Sequence, residues 1–233
     1  MKSYTIHLIR HGITEGNLLG QYIGITDSPL SQQGIEQLLQ KKEAGGYPQA
    51  QAYYTSPLSR CVDTLKLLYP DVHPTVVEDF RECNFGDWEG KSAKDLEKEP
   101  AFSKWVEQGG DMIPPGGESG GQFMHRTCLA FEKLVEEMLR SGTTSAVIVA
   151  HGGTLMSVLS AYGIPRAQFY DWMTEPGTGY SLRITPGLWM RSMVAEVYET
   201  IPPRPQHGER ENNIVDLARE AASRAFQPYE REE

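Results

Sequence analysis

The chain has 233 residues, which is enough for one sizeable domain or two small ones. Its composition, with 39% hydrophobic and 23% charged residues, excludes a chain that is disordered throughout. No apolar run approaches the length that crosses a bilayer, and a formal charge of -9 opposes a broad electrostatic interaction with nucleic acid or anionic lipid. Three cysteines without a CxxC pair predict neither a disulfide framework nor a zinc site, and with no signal peptide we expect a cytoplasmic protein.

Runs rich in β-branched and aromatic residues alternate along the chain with segments of helical periodicity. Strands are predicted at residues 4–9, 52–55, 75–77, 146–149, 180–184 and 190–198. Helices are predicted at residues 31–43, 58–69, 119–140 and 154–161. A turn at residues 185–188 is expected to join the last two strands as a hairpin at one edge of the sheet. The alternation predicts an α/β fold, a three-layer sandwich with a mostly parallel central sheet and helices on both faces.

Two segments interrupt this alternation. Gly and Pro accumulate in a predicted wall insertion at about residues 87–121, with short helices at 93–99 and 101–108. Pro-rich and charged sequence predicts a C-terminal tail at 201–233, with a short helix at 214–226. We therefore expect one catalytic domain at residues 1–200.

Polar residues follow three of the predicted strands, where open α/β sheets bind their ligands. Arg10 and His11 follow the first strand, and His151 and Gly152 follow the strand at 146–149. Arg60 lies in the first turn of the helix that follows the second strand. Two arginines beside two histidines repel a metal cation but suit a phosphoryl group, because guanidinium groups bind phosphate oxygens in pairs. The sequence therefore predicts a phosphate pocket without a metal.

Chemistry at a phosphoryl group needs a nucleophile and a proton donor. A neutral imidazole can attack phosphorus and form a covalent intermediate. Glu82 follows the strand at 75–77, and a carboxyl beside a dianionic substrate has a raised pKa and can protonate the leaving alkoxide. Taken singly, His11, Arg60 and Glu82 each fit an ordinary structural or surface role, so their flanking motifs decide between the two interpretations.

Four motifs occur together: RHGxTxxN at residues 10–17, SPLSRCxxT at 56–64, RExxFGxWEG at 81–90 and AHGG at 150–153. Over about residues 4–198 they resemble the histidine phosphatase superfamily, also called phosphoglycerate-mutase-like. The resemblance implies that His11 is the nucleophile that becomes phosphohistidine and that Glu82 is the proton donor. It also implies that Arg10, Arg60 and His151 bind the phosphate and that no cofactor is needed.

The branch of this family is indicated by residues around the pocket. The stretch PPGGES at 114–119 resembles the phosphatase branch, notably the α-ribazole phosphatases. Gln21 and Ile23 stand where mutases usually place an arginine and a small residue, so a carboxylate-bearing triose lacks a partner. The expected substrate-binding residues are Asn17, Gln21, Tyr22, Ile23 and Gly152.

We therefore expect a metal-independent, histidine acid-type phosphatase that hydrolyses a small phosphorylated metabolite. α-Ribazole 5′-phosphate is the favoured candidate substrate. A cofactor-dependent phosphoglycerate mutase and a non-catalytic phosphate-binding module remain alternatives. The sequence leaves the oligomeric state open, a homodimer included.

Several other residues are expected to have structural roles. His7, inside the first strand, is predicted to be a core or edge histidine, whereas His73, His125 and His207 are predicted to lie on the surface. Glu118 and Ser119 are expected at the start of the long helix, with Ser119 as its cap. These residues are not assigned to the site.

Overall fold

One seven-stranded sheet organises the computed structural model, which describes residues 3–108 and 112–203. The strands are β1 (Tyr4–Arg10), β2 (Ala52–Thr55), β3 (Thr75–Val76), β4 (Ser145–Ala150), β5 (Gly163–Ile164), β6 (Gly179–Ile184) and β7 (Ala195–Ile201). Their order across the sheet is β3-β2-β4-β1-β6-β7-β5. The pairs β1–β4, β2–β4, β2–β3 and β5–β7 are parallel, and β6 runs antiparallel to both β1 and β7. The prediction of a mostly parallel sheet is confirmed.

Helices connect these strands and cover the sheet. They are α1 (Glu15–Leu18), α2 (Gln32–Glu43), α3 (Ser59–Leu68), α4 (Ala93–Leu96), α5 (Pro100–Glu107), α6 (Gly120–Ser141), α7 (Gly152–Tyr162) and α8 (Pro186–Ser192). The long helix α6 begins at a capping box between Ser119 and Gln122 and ends at Gly142, which has a left-handed backbone conformation. Within the described ranges, no helix is both long and apolar enough to cross a membrane.

Alternating side chains of the strands pack on two hydrophobic layers, as the pleat of a strand requires. On one face, Ile6 and Leu8 of β1 contact the layer formed with Phe131 of α6 and Leu155 of α7. On the other face, Ile9 lies in a second layer with Leu38 of α2 and Leu65 of α3. Helices therefore cover both faces, and the predicted three-layer α/β sandwich is confirmed.

The register of three neighbouring strands determines where the site forms. Arg10 at the end of β1 pairs with Ala150 at the end of β4, and Thr55 at the end of β2 pairs with Val149. Parallel strands present their carboxyl ends at the same edge of a sheet. The residues that follow, His11, His151 and Ser56, therefore leave the sheet side by side.

The predicted strand at residues 190–198 is wrong over its first part, and the predicted turn at 185–188 is wrong from residue 186 onward. Residues 186–192 form α8, because Pro186 suits the first turn of a helix and Trp189, only 3% exposed, anchors that helix to the core. The strand begins at Ala195 instead. β6 and β7 pair as predicted, but they do not form the edge of the sheet, because β5 pairs with the outer side of β7.

The wall insertion contains the two short helices that were predicted, α4 and α5. Trp88, Leu96 and Phe102 form a small buried cluster beneath them, separate from the two main hydrophobic layers. The insertion is therefore held by its own core. The predicted tail helix at 214–226 and His207 lie outside the described residues.

Candidate active site

Two histidines meet at the edge where β1 and β4 end. The backbone N–H of His11 donates to the Ala150 carbonyl at 2.9 Å, and the ring centroids of His11 and His151 are 5.2 Å apart. Their exposures are 5% and 0%. The strand register brings these two predicted residues together, and their rings pack edge to face.

His11 is held in one tautomer. Its Nδ1–H donates to the Gly12 carbonyl at 2.7 Å, so the lone pair remains on Nε2. Burial first, and then the positive charge of Arg60, lower the pKa of His11 to about 3. Near neutral pH the side chain is therefore an uncharged imidazole with an unprotonated Nε2, the form that can act as a nucleophile.

Arg60 is almost fully buried, with 1% exposure, and its charge is balanced mainly by backbone oxygens. Its Nη1 donates to the Thr26 carbonyl at 2.8 Å and its Nη2 to the Gly24 carbonyl at 2.6 Å. Its Nε donates to Nδ1 of His151 at 3.3 Å. A guanidinium has five N–H donors, so two have no acceptor among residues 3–108 and 112–203 and can serve a ligand.

His151 is the second imidazole with a defined proton position. Because Nδ1 accepts from Arg60, the ring proton is on Nε2, which donates to Ser56 Oγ at 2.7 Å. Burial, followed by the charge of Arg60, lowers the pKa of His151 well below its ordinary value. The lone pair of this neutral ring is occupied by Arg60, so it does not suit attack, and its one N–H can bind a ligand only in place of Ser56.

Arg10 contributes a cation that is only partly satisfied. Its Nη1 donates to the Thr174 carbonyl at 2.6 Å, while its buried Nε has no hydrogen-bond partner within the described part of the chain. A Cβ added at Gly152 would lie 3.3 Å from this Nε, so glycine leaves the guanidinium uncrowded. A buried cationic donor without an acceptor indicates an anionic ligand.

Glu82 lies beside these groups, between the insertion and α7. Its Oε1 accepts the Cys83 N–H at 3.0 Å and its Oε2 accepts the Gly153 N–H at 3.1 Å. Burial raises the pKa of this carboxyl, and the two backbone N–H groups and the arginines oppose that rise. A Cβ added at Gly153 would overlap Oε1, so only glycine lets α7 approach the carboxyl this closely.

Glu89 was not singled out from the sequence, although it lies within one of the four motifs. Its carboxylate accepts backbone N–H groups at 3.0 to 3.2 Å from Gly24, Ile25, Thr26 and Phe85. These contacts shape the loop whose carbonyls bind Arg60. A carboxylate next to Gly90 gave no sequence signal that distinguishes it from a surface residue.

The other predicted substrate residues line the loop next to this pocket. Asn17 and Thr14 form a capping box at the start of α1, and Ile23 packs against Gly16 of the same helix. The Gln21 backbone pairs with Ser92 as an isolated bridge. Tyr22 packs edge-on against Phe85, Phe102 and Trp105 of the insertion. Their contacts to a substrate stay a prediction.

Residues predicted to be structural are placed as expected. His7 is buried and hydrogen-bonds through Nδ1 to Ser181 Oγ at 2.9 Å, whereas His73 and His125 are exposed. Ser119 caps α6. Across residues 3–108 and 112–203, no group of three or more His, Cys, Asp and Glu side chains is arranged to hold a metal ion.

Buried neutral histidines make the stability of the fold depend on pH. Burial lowers the pKa of His7 to about 4, so above the unfolded-state value of about 6.5 both states are neutral and the full stability is present. As pH falls below 6.5, the unfolded state binds the proton first and stability is lost until the folded-state pKa is reached. Between pH 7 and pH 5 the unfolding free energy of the wild type should fall as the pH falls. We expect His7→Gln to make this fall less steep, because about one proton fewer is taken up on unfolding.

Urea unfolding at several pH values measures this slope, and His73→Gln is the matched control because His73 is exposed. Equal slopes in the His7 and His73 variants would contradict the expectation.

The close approach of α7 to Glu82 predicts a specific effect of one methyl group. Gly153→Ala should displace the Glu82 carboxyl and lower the kcat/KM for phenyl phosphate on the order of 10²-fold, the cost of a misplacement of about 1 Å. Gly121→Ala is the control, since a Cβ there meets only Ser119 Oγ at 3.9 Å. Wild-type activity of a folded Gly153→Ala protein would show that the contact is unimportant.

Three curated relatives span most of the described fold. An adenosylcobalamin/α-ribazole phosphatase of Salmonella typhimurium is 27% identical over 77% of this chain and 90% of the relative. A metal-independent phosphoserine phosphatase of Arabidopsis thaliana is 32% identical over 66% of each chain. A 2,3-bisphosphoglycerate-dependent phosphoglycerate mutase of Parvibaculum lavamentivorans is 31% identical over 65% of this chain and 76% of the relative.

The fold and the sequence together establish the family. The crystal structure of the α-ribazole phosphatase from Shigella flexneri matches with a TM-score of 0.73 and 25% identity, covering 88% of this chain and 100% of the other. A sequence model of the histidine phosphatase superfamily (branch 1) matches residues 6–196. The chain therefore belongs to the histidine phosphatase superfamily, branch 1.

Proposed function

We propose that this protein is a metal-independent phosphomonoesterase that acts through a phosphohistidine on His11. One observation carries the proposal: a neutral His11, with its proton held on Nδ1 by Gly12, lies near buried Arg60 and half-buried Arg10, and the buried Nε of Arg10 has no acceptor among the described residues. The arrangement provides a nucleophile and a positively charged binding site for the phosphoryl group that it attacks. A protein that only binds phosphate does not need a proton donor such as Glu82 beside that binding site.

In the first step His11 Nε2 attacks phosphorus, the N–P bond forms and the ester P–O bond breaks. Glu82 gives its proton to the leaving alkoxide oxygen. Arg10 and Arg60 stabilise the charge on the equatorial oxygens, a contribution typically worth several kcal/mol in a buried site. In the second step water attacks phosphorus, the new P–O bond forms and the N–P bond breaks, with its electron pair returning to His11 Nε2. The Glu82 carboxylate takes a proton of that water, inorganic phosphate is released and neutral His11 is regenerated.

The environment of Glu82 supports both of its roles. Burial favours the neutral acid, which is needed first, and the N–H groups of Cys83 and Gly153 stabilise the carboxylate, which is needed second. With Glu82 protonated and both histidines neutral, the two arginines give the pocket a charge that complements a phosphate dianion.

The loop and the insertion indicate the rest of the substrate. Gln21 and Ile23 bring no positive charge to the pocket, whereas Tyr22, Phe85 and Trp105 form an aromatic surface. An alcohol with an apolar or planar group fits this surface better than a small carboxylate. α-Ribazole 5′-phosphate is therefore the favoured substrate, in line with the names of several relatives.

Mutase activity is the second candidate, favoured by the relative from Parvibaculum lavamentivorans. It requires a bisphosphate primer and a cation for a second acidic group, and Gln21 and Ile23 supply no such cation.

Cys61, Cys83 and Cys128 are free thiols, and on this ground we place the reaction in a reducing compartment such as the cytoplasm.

The nucleophile is tested with His11→Ala. We expect loss of turnover of α-ribazole 5′-phosphate and of the acid-labile, base-stable phosphoenzyme, while His73→Ala, at an exposed site, behaves as wild type. Activity should survive EDTA, because arginines rather than a cation neutralise the transferred group. Undiminished phosphoenzyme labelling in His11→Ala, or complete loss of activity in EDTA, would overturn the proposal.

Isomerisation of 3-phosphoglycerate faster than phosphate release, with bisphosphoglycerate primer present, would favour the mutase.

The proton donor is tested with two substrates of similar shape. Phenyl phosphate has a more basic leaving group than p-nitrophenyl phosphate, so it depends more on protonation. Glu82→Gln should lower kcat/KM for phenyl phosphate by about 10² to 10⁴ and that for p-nitrophenyl phosphate clearly less. Equal losses on both substrates would exclude Glu82 as the acid.

A further inference from the structure

Arg126 on α6 lies against the segment that carries Glu82 and uses every donor that it has. Its Nη1 donates to the carbonyls of Asp79 and Arg81 at 2.8 and 2.9 Å, and its Nη2 donates to the Glu82 carbonyl at 2.9 Å. Its Nε and Nη2 donate to the Glu118 carboxylate at 3.1 and 2.5 Å. Five N–H groups thus meet five acceptors, three of them backbone carbonyls of one short segment.

Glu118, the partner of Arg126, holds the same segment from its other end. Its Oε1 accepts the Asn84 N–H at 2.9 Å, and its own backbone N–H donates to the Asn84 carbonyl at 2.9 Å. The side chains of Arg126 and Glu118 are each 18% exposed. Arg126 thus holds the backbone up to and including Glu82, and Glu118 holds it two residues later, at Asn84.

We propose that Arg126 and Glu118 are positioning residues that fix the backbone of residues 79–84 and so aim the Glu82 carboxyl at the leaving oxygen. The proposal rests on the role of Glu82 in the proposed function. Neither residue hydrogen-bonds to the phosphate-binding side chains, so their contacts act on the site through the segment that carries Glu82. The charge of Arg126 also makes a small contribution to the lowered pKa of His151, and Arg126→Lys keeps that charge while it removes the carbonyl contacts. Glu118 belongs to the stretch PPGGES, so this ion pair is one of the contacts by which that stretch holds the Glu82 segment.

A fixed backbone matters here because the carboxyl itself has few restraints. Its two hydrogen bonds to the described residues go to Cys83, its own neighbour, and to Gly153 of α7. If residues 79–84 move, the carboxyl leaves Gly153 and the reacting oxygen together. Lysine cannot replace Arg126, because three donors on one nitrogen cannot reach three carbonyls and a carboxylate.

The test compares Arg126→Met, Arg126→Lys and Glu118→Gln with Arg81→Met, the matched control. Arg81 belongs to the same segment, but its side chain forms an exposed ion pair with Glu78 at 3.0 Å. We expect Arg126→Met and Arg126→Lys to lower kcat/KM for phenyl phosphate about 10- to 100-fold and for p-nitrophenyl phosphate clearly less. Arg81→Met should keep wild-type values for both substrates. Equal losses on the two substrates in folded Arg126 variants would mean a merely structural role and would overturn the proposal.

Glu118→Gln keeps an acceptor for the Asn84 N–H and removes the charge, so it provides the test if the Arg126 variants fail to fold. We expect the same leaving-group dependence with a smaller loss, together with a changed pH profile of kcat/KM for phenyl phosphate on the limb that reports Glu82. Wild-type leaving-group dependence and pH profile in Glu118→Gln would overturn the proposal.

Double variants separate this proposal from the one on which it rests. In a Glu82→Gln background, Arg126→Met should cause little further loss on phenyl phosphate, because the group it positions is already inactive. If the two losses multiply, Arg126 acts by another route and the proposal fails. If Glu82→Gln alone shows no leaving-group dependence, the acid assignment fails, and that result is seen without any change at Arg126.

Discussion

The parallel register of β2, β4 and β1 is the constraint on which the whole site depends. Pairing Arg10 with Ala150 and Thr55 with Val149 sets three chain segments at one height along the sheet edge. The next residues of these segments, His11, His151 and Ser56, are therefore neighbours at that edge. A shift of one residue in this register would also exchange the faces of every side chain in the moved strand, so the hydrophobic layers and the site specify the same alignment.

Burial of positive charge is the second property that shapes the molecule. Taking Arg60 out of water costs free energy unless its donors are satisfied, and two backbone carbonyls of the loop at residues 24–26 and one imidazole nitrogen meet most of that need. The loop depends in turn on Glu89, whose carboxylate accepts its N–H groups. One buried cation and one carboxylate thus organise a loop that has no regular secondary structure, and they keep the pocket in shape before a substrate arrives.

The elements that follow from local sequence were predictable. Apolar runs located β1 and β4, and the strand ends identified Arg10, His11 and His151 as neighbours. α8 was missed because Pro186 and Gly187 suggested a turn and Met190 was assigned to the following strand, and the contact of Trp189 with the core is a tertiary feature that this short segment does not reveal. Arg126 and Glu89 could not be found in this way. Each acts on backbone groups more than thirty residues away or in another loop, and such contacts leave no periodic pattern.

Two glycines, Gly24 and Gly153, lie where the structure has no room for a larger side chain. At Gly24 an added Cβ would overlap the Cys83 carbonyl of the neighbouring backbone, and at Gly153 it would overlap the carboxyl of the Glu82 side chain. Substitution at the first position displaces the backbone next to Glu82, and substitution at the second displaces the Glu82 carboxyl itself. The aromatic residues Tyr22, Phe85 and Trp105, by contrast, contact one another through side chains that can be exchanged for others of similar volume. Under the proposed function, exchange of these aromatic side chains would alter which alcohol fits the site and leave the positions of His11, Arg10 and Arg60 unchanged.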